Sequence, residues 1–261
     1  MKLRELLWLR RDGTAPVPIL CLYYFLLLLL VSAACCFVLQ KVDYAWNWEG
    51  VIGYRQLFIQ GWITTIWVSA ASMVLSLFFG TIAALCSQSR LIVLRCSSLL
   101  YVEAIRGTPL LVQILIFFYL IFNVLQLENR YVAGILILSI FTGGYVTEII
   151  RSSIQSIGKT QWESARAVGF TTRQTYRYII FPQAFRVMLP PLSGELVSLI
   201  KNSSLLYTIA IKEFTANAKD VASFTYANFE SYIPLAVGYL ILTLPISFWS
   251  RALEHKNRFE T

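Results

Sequence analysis

The residues of this sequence best placed to do chemistry are ionisable side chains set inside or at the end of long apolar stretches: Glu103 and Arg106, Glu148 and Arg151, Glu195 and Lys201. A charge at membrane depth is expensive and normally faces a protein interior or a water-lined path, where it can pair, pass a proton or touch a polar cargo. Glu103 and Arg106 stand three residues apart, as neighbours on one helix face do, and Gly107, Thr108 and Pro109 should kink or interrupt that helix. Lys201 has two open readings, an ion pair with Glu195 or Glu148 and direct contact with cargo. Ser203 and Ser204 follow it, with hydroxyls able to hydrogen-bond across helices.

A second chemical feature is polar. The run from Gln161 to Gly169 lies between two apolar stretches, and Pro182 follows at the end of the run IIFP. Thr160 and Glu163 have capping-box spacing, as do Thr171 and Gln174, and Gly169 suits the left-handed position that ends a helix. The spacing predicts a helix over 161–168, a tight turn, and a second helix ending before Pro182. Taken by itself the segment also fits an amphipathic hairpin at a membrane surface, with Trp162 and Tyr176 at headgroup level and Arg166, Arg173 and Arg177 toward anionic lipid.

Several chemistries are excluded. The five cysteines show no C-x-x-C spacing, the lone His255 stands in a polar tail, and neither H-E-x-x-H nor G-x-S-x-G occurs. Gly158-Lys159-Thr160 imitates the end of a phosphate-binding loop, but position 153 is Ser where that loop needs glycine and no strand precedes it. We therefore expect no bound nucleotide, no metal and no catalytic group in this chain.

The elements that must position these residues are membrane helices. The chain is 57% hydrophobic and 14% charged, with a mean hydropathy of +0.63, against roughly 25% charged in soluble proteins. Stretches at about 19–39, 57–86, 98–125, 131–150, 187–206 and 231–250 each approach the roughly 20 residues that cross a bilayer, the fifth read as starting at Pro190 and Pro191. The expectation is an all-α integral membrane protein; no stretch alternates as a barrel strand would. Of the 22 Lys and Arg residues, 15 lie in segments 1–18, 87–97, 151–186 and 251–261, and five in 40–56, 126–130 and 207–230. The positive-inside rule then places both termini in the cytoplasm. It also explains the net charge of +8 without nucleic acid. The apolar run at 19–39 exceeds the 7–15 residues of a signal-peptide core, so we expect a retained helix.

With these residues in view, the polar run resembles the cytoplasmic EAA loop of bacterial ABC importer permeases, with Glu163, Ala165, Gly169, Ile179 and Pro182 in register and Ser164 and Phe181 departing. Ile157, Lys159 and Gln161 are similar to that loop's lead-in. A narrower resemblance runs from Glu103 to Gln113, which is similar to the E-x-x-R-G-T-P-L-L-V-Q signature of the polar amino-acid branch. Tyr145, Glu148 and Arg151 resemble its Y-x-x-E-x-x-R, and Glu195 and Lys201 to Leu205 resemble its N-E and K-x-T-S-L, with Gly194 replacing Asn.

The resemblance implies a five-helix permease core at 57–250, with the coupling loop at 151–186. One accessory transmembrane helix would precede it within 1–56, and a tail at 251–261 would follow. It implies a bacterial inner-membrane subunit moving polar amino acids, partnered by a second permease chain, an extracytoplasmic solute-binding protein and two ATPase subunits that use ATP and Mg. Gln161, Glu163, Ala165, Gly169 and Pro182 would meet an ATPase. Glu103, Arg106, Thr108, Pro109, Glu148, Arg151, Glu195, Lys201, Ser203 and Ser204 would line or gate the pathway. An ion-coupled secondary transporter using Glu148, Glu195 and Lys201 is the alternative, and a membrane-embedded enzyme a more distant one.

Overall fold

The computed structural model describes residues 44–257, the last three by backbone alone, and scattered positions between Leu22 and Phe37. The chain divides into units 1–46 and 47–261. In the first, the described positions between Leu22 and Phe37 are helical, and the rings of Tyr44 and Trp46 meet edge to face. Most of the 19–39 stretch, and with it the retained-helix expectation, lies outside the described residues.

The second unit is built of helices, with no strand among the described residues. A short α1 (Trp48–Ile52) leads into the long α2 (Arg55–Ser87). A tight turn starts α3 (Ile92–Arg106), and the break at Gly107–Pro109 separates it from α4 (Leu110–Ile116), which widens into a π-turn at Phe117–Phe122. Then come α5 (Arg130–Gln155), α6 (Lys159–Ala167), α7 (Thr172–Thr175), a π-turn at Tyr176–Ile180, α8 (Phe181–Asn202), a 3-10 turn at Ser203–Ile209, α9 (Phe214–Thr225) and α10 (Asn228–Asn257).

Three of these helices, α2, α5 and α10, are long and apolar enough to cross a bilayer alone. The 98–125 stretch is two arms bent by 109° at the interruption expected at Gly107–Pro109. Pro109 has no N–H to continue the ladder, and Gly107 offers no side chain to bridge the gap. The 187–206 stretch is α8 and the 3-10 turn that follows, and it falls short of the hydropathy of a lone span. Pro190 and Pro191 lie inside α8 and do not start it, contrary to expectation; the hydroxyl of Ser250 in α10 donates to the Pro190 carbonyl at 3.0 Å.

The central packing is α2 against α5, running in the same direction. In lipid no hydrophobic force separates helix from solvent, so close approach and hydroxyl bonds must hold such a pair. Small residues make this possible: Ser69, Ser72, Ser76, Gly80 and Ala84 on α2 are all buried. The hydroxyls of Ser139 and Thr147 on α5 donate to the carbonyls of Ser72 and Gly80 at 3.3 Å each. A Cβ at Gly80 would stand 2.5 Å from Cγ1 of Val146 and 3.0 Å from the Gly143 carbonyl oxygen. Gly80→Val should therefore force the pair apart, at about 1–3 kcal/mol of overpacking. The expected result is a lower unfolding midpoint for the detergent-solubilised chain, with Gly80→Ala intermediate.

The apolar core gathers Ile114 of α4, Ile137 and Leu138 of α5, Leu199 of α8, and Leu206, Ile209 and Ile211 beyond it. At the start of α2, α9 crosses close by: Asn217 donates to the Leu57 carbonyl at 2.7 Å, and Thr65 accepts from the Phe214 amide at 3.2 Å. Glu213 caps α9 by accepting from the amides of Thr215 and Ala216, and it also accepts from the Tyr239 hydroxyl. Burial pushes its carboxyl up to about 7 against the pull of these donors.

Candidate functional site

Two features of the second unit are candidates for a site, a polar hairpin and a cavity. The hairpin is α6, a turn, and α7. Gly169 has φ +84°, and a Cβ there would meet nothing within 4 Å. Glycine is therefore needed for backbone conformation and not for space. The amide of Phe170 donates to the Ala165 carbonyl at 3.0 Å and that of Gly169 to Arg166 at 2.9 Å, the paired closure that ends a helix on a left-handed residue. Thr171 then opens α7 with a reciprocal capping box: the Gln174 amide donates to the Thr171 hydroxyl at 3.4 Å, and the Thr171 amide donates to the Gln174 side-chain oxygen at 2.8 Å. The rings of Trp162 and Tyr176 meet edge to face at 5.1 Å across the two arms.

Side-chain bonds anchor the hairpin to the membrane helices. The Tyr176 hydroxyl donates to Gln88 at the end of α2, and Gln183 in the first turn of α8 donates to the Gln161 side chain, each at 3.3 Å. Ala165 is buried beneath, while Glu163 is exposed and has no partner among the described residues.

Two details differ from the sequence reading. The capping box expected at Thr160 and Glu163 is absent, because α6 begins two residues earlier with Gly158 as its cap; the Glu163 carboxylate is left free for a partner. The second arm does not stop before Pro182. The π-turn at Tyr176–Ile180 widens the helix ahead of the proline, easing the clash of its ring with the carbonyl four residues back, and the chain runs on into α8 with Pro182 in its first turn.

The cavity, about 450 Å³, lies where α3, α5 and α8 converge and is lined by Arg106, Tyr145, Glu148, Ser152, Gly194 and Glu195, among others. Glu148 and Arg151 form an ion pair one turn apart on α5, with Arg151 Nε donating to Glu148 Oε2 at 3.1 Å and its Nη1 reaching Gln155. The guanidinium of Arg106 lies 5.8 Å from the Tyr145 ring centroid, within cation–π range. Glu195 has neither hydrogen bond nor ion pair among the described residues. A Cβ built at Gly194 meets nothing within 4 Å, so the departure to glycine at this position leaves open space.

The structure does not bring together all the residues expected on the pathway. Glu103 is exposed, lines no part of this cavity and does not pair with Arg106, whose charge is turned to Tyr145. Lys201 is exposed at the end of α8 and pairs with neither Glu195 nor Glu148. Ser203 donates within its own turn to the Ile200 carbonyl at 2.8 Å, not across helices. Thr108 and Pro109 form the break itself, and Thr108 bonds back to Ala104.

Gln113 is the residue that the sequence reading passed over. Its buried amide donates to the carbonyl of Ile105 at 2.8 Å, to the Thr108 carbonyl at 3.2 Å and to the Thr108 hydroxyl at 2.7 Å. These are groups freed by the break, which at membrane depth must find donors inside the protein. An amide four residues after a proline in an apolar run was the available signal. Among the described residues no group of three or more His, Cys, Asp or Glu side chains could hold a metal ion.

An all-α membrane protein with a stiff polar hairpin joined to cavity-lining helices is built as a transport permease. The chain belongs to the family described as the binding-protein-dependent transport system inner membrane component, whose model matches residues 76–259. It is 34% identical over 200 residues to the probable glutamine ABC transporter permease protein GlnM of Bacillus subtilis (strain 168), covering 77% of this chain and 93% of that one. It is 37% identical over 198 residues to the L-cystine transport system permease protein TcyB of the same organism, covering 74% and 82%. The glutamine transport system permease protein GlnP of Escherichia coli (strain K12) is 32% identical over 213 residues, covering 80% and 97%.

Among solved structures, an amino acid ABC transporter crystallised with histidines superposes with a TM-score of 0.77 at 33% identity, covering 82% of this chain and all of that one. The MetNI methionine ABC transporter shares the fold, with a TM-score of 0.66 at 15% identity. The protein is thus the permease subunit of an ABC importer and not an ion-coupled secondary transporter.

Proposed function

We propose that this permease carries polar amino acids across the bacterial cytoplasmic membrane, using the α3–α5–α8 cavity as part of the path and the hairpin as its contact with an ATPase. The hairpin connects the C-terminal end of α5 to the N-terminal end of α8, and those two helices supply most of the charged and polar lining of the cavity. That connection carries the proposal. Displacing the hairpin moves both walls, so ATP bound and hydrolysed with Mg in two partner subunits can open and close the path without this chain touching nucleotide. A second permease chain and an extracytoplasmic solute-binding protein complete the assembly in this reading. Relatives named for glutamine and cystine, and the charged groups in the cavity, favour a polar amino-acid cargo.

Purified permease, assembled with its ATPases and binding protein in proteoliposomes, should accumulate a labelled polar amino acid only when ATP is supplied on the hairpin's side. Uptake driven by an ion gradient without ATP would sink the reading.

Both termini and the hairpin face the cytoplasm in this proposal, because basic residues concentrate on that side. In cells, a membrane-impermeant maleimide should label Lys219→Cys and spare Arg173→Cys. The opposite pattern would invert the orientation.

Gly194 offers a direct probe of the cavity. Gly194→Asn introduces a side chain into open space without strain, so the unfolding midpoint should hold while the apparent affinity for cargo changes severalfold. Unchanged uptake kinetics would remove this wall from the path.

A further inference from the structure

A second cavity, about 280 Å³, lies away from the first, between the end of α2 and the start of α3. Phe79, Ile82, Ala83, Leu94 and Ile140 make it apolar. Its polar groups are already engaged: Ser97 donates to the Val93 carbonyl, Ser98 to Ala83 and Tyr101 to Ile140. The cavity thus offers a ligand no free hydroxyl donor. Its mouth is apolar too, since Ile82 and Leu94 are 45% and 41% exposed, as a wall facing acyl chains would be.

The chain next to the cavity is cationic. Arg90 lies in the turn between α2 and α3, just ahead of the helix that carries Leu94, Ser98 and Tyr101 to the cavity, and Arg95 follows Leu94. Both arginines are exposed, neither forms an ion pair among the described residues, and no Asp or Glu occurs between Glu49 and Glu103. We infer that this cavity holds an acyl chain of an anionic phospholipid whose headgroup phosphate is bound by Arg90 and Arg95. The apolar cavity fixes the class of tail and the uncompensated arginines fix the charge of the head. A zwitterionic lipid would satisfy only the first.

Cys86 lines the same cavity and is half-buried, so it reports occupancy. The assembled importer, carrying Cys21→Ser, Cys35→Ser, Cys36→Ser and Cys96→Ser in this chain, is placed in nanodiscs of phosphatidylglycerol or of phosphatidylcholine. Modification of Cys86 by N-phenylmaleimide is followed by peptide mass spectrometry. The expected rate is on the order of tenfold slower in phosphatidylglycerol, and Arg90→Gln with Arg95→Gln should raise it to the phosphatidylcholine rate. Equal rates in the two lipids overturn the proposal, and so does protection that survives the double substitution. Slow labelling in both lipids means that protein, such as a second permease copy, covers the mouth, and overturns it as well. Independently, Ala83→Phe should fill the cavity and release the anionic lipid that co-purifies with the assembly; undiminished retention counts against the site.

Discussion

Glu163→Arg should abolish ATP-driven uptake, at least tenfold below the wild type, while the permease stays folded in the membrane. The Glu163 carboxylate is exposed and unpartnered on α6, so reversing its charge removes no internal contact; an exposed substitution away from caps and networks stays within about 0.5 kcal/mol in stability. The loss therefore falls on whatever docks against α6. Gly169→Arg should produce the same transport defect by another route. Its φ of +84° would cost a side-chain-bearing residue about 1–2 kcal/mol, and relaxing that strain would undo the turn that sets α6 against α7. Uptake and cargo-stimulated ATP hydrolysis, measured together, check both variants. Normal uptake by well-expressed forms of each would remove the hairpin from the coupling path.

Glu195→Leu should also lower uptake by tenfold or more, but with a different signature. Glu195 lines the cavity and has no bonded partner among the described residues. An unpaired carboxylate at that depth is costly, so leucine should leave stability unchanged or raise it. Basal ATP hydrolysis should persist because the hairpin is untouched, whereas the apparent affinity for cargo should fall. Comparing cargo concentration dependence with basal ATPase rate separates this defect from that of Glu163→Arg. A variant that transports with wild-type affinity would show that Glu195 faces no cargo.

What was legible in the sequence was the part set by local rules. Gly169 ends a helix because few residues accept its φ, and the Thr171–Gln174 capping box is a contact within one turn; both are visible in spacing. The break at Gly107–Pro109 is local for the same reason. Pairings between helices were not legible. Arg106 was assigned to Glu103 by helix spacing, yet its charge turns to Tyr145 on α5. The apolar sequence around Lys201 suggests depth, but the residue is exposed and pairs with neither Glu148 nor Glu195. Pro190 and Pro191 read as a helix start under rules drawn from water; in α8 they sit mid-helix, with Ser250 from α10 bonding Pro190. The roles of Gln113 depend on carbonyls that only the bend exposes.

The small-residue seam between α2 and α5 has a mechanical consequence. With backbone this close and hydroxyls bonded across it, the two helices cannot slide without breaking several contacts at once, so they behave as one strut. A push delivered through α6 would therefore move this strut as one body. α8, at the other end of the hairpin, lacks two amide donors at Pro190 and Pro191 and is correspondingly softer in bending. Compliance in the permease is therefore unequal: α5, braced from behind by α2, is the stiffer wall of the cavity, and α8, carrying Gly194 and Glu195 just past its paired prolines, is the wall that yields more.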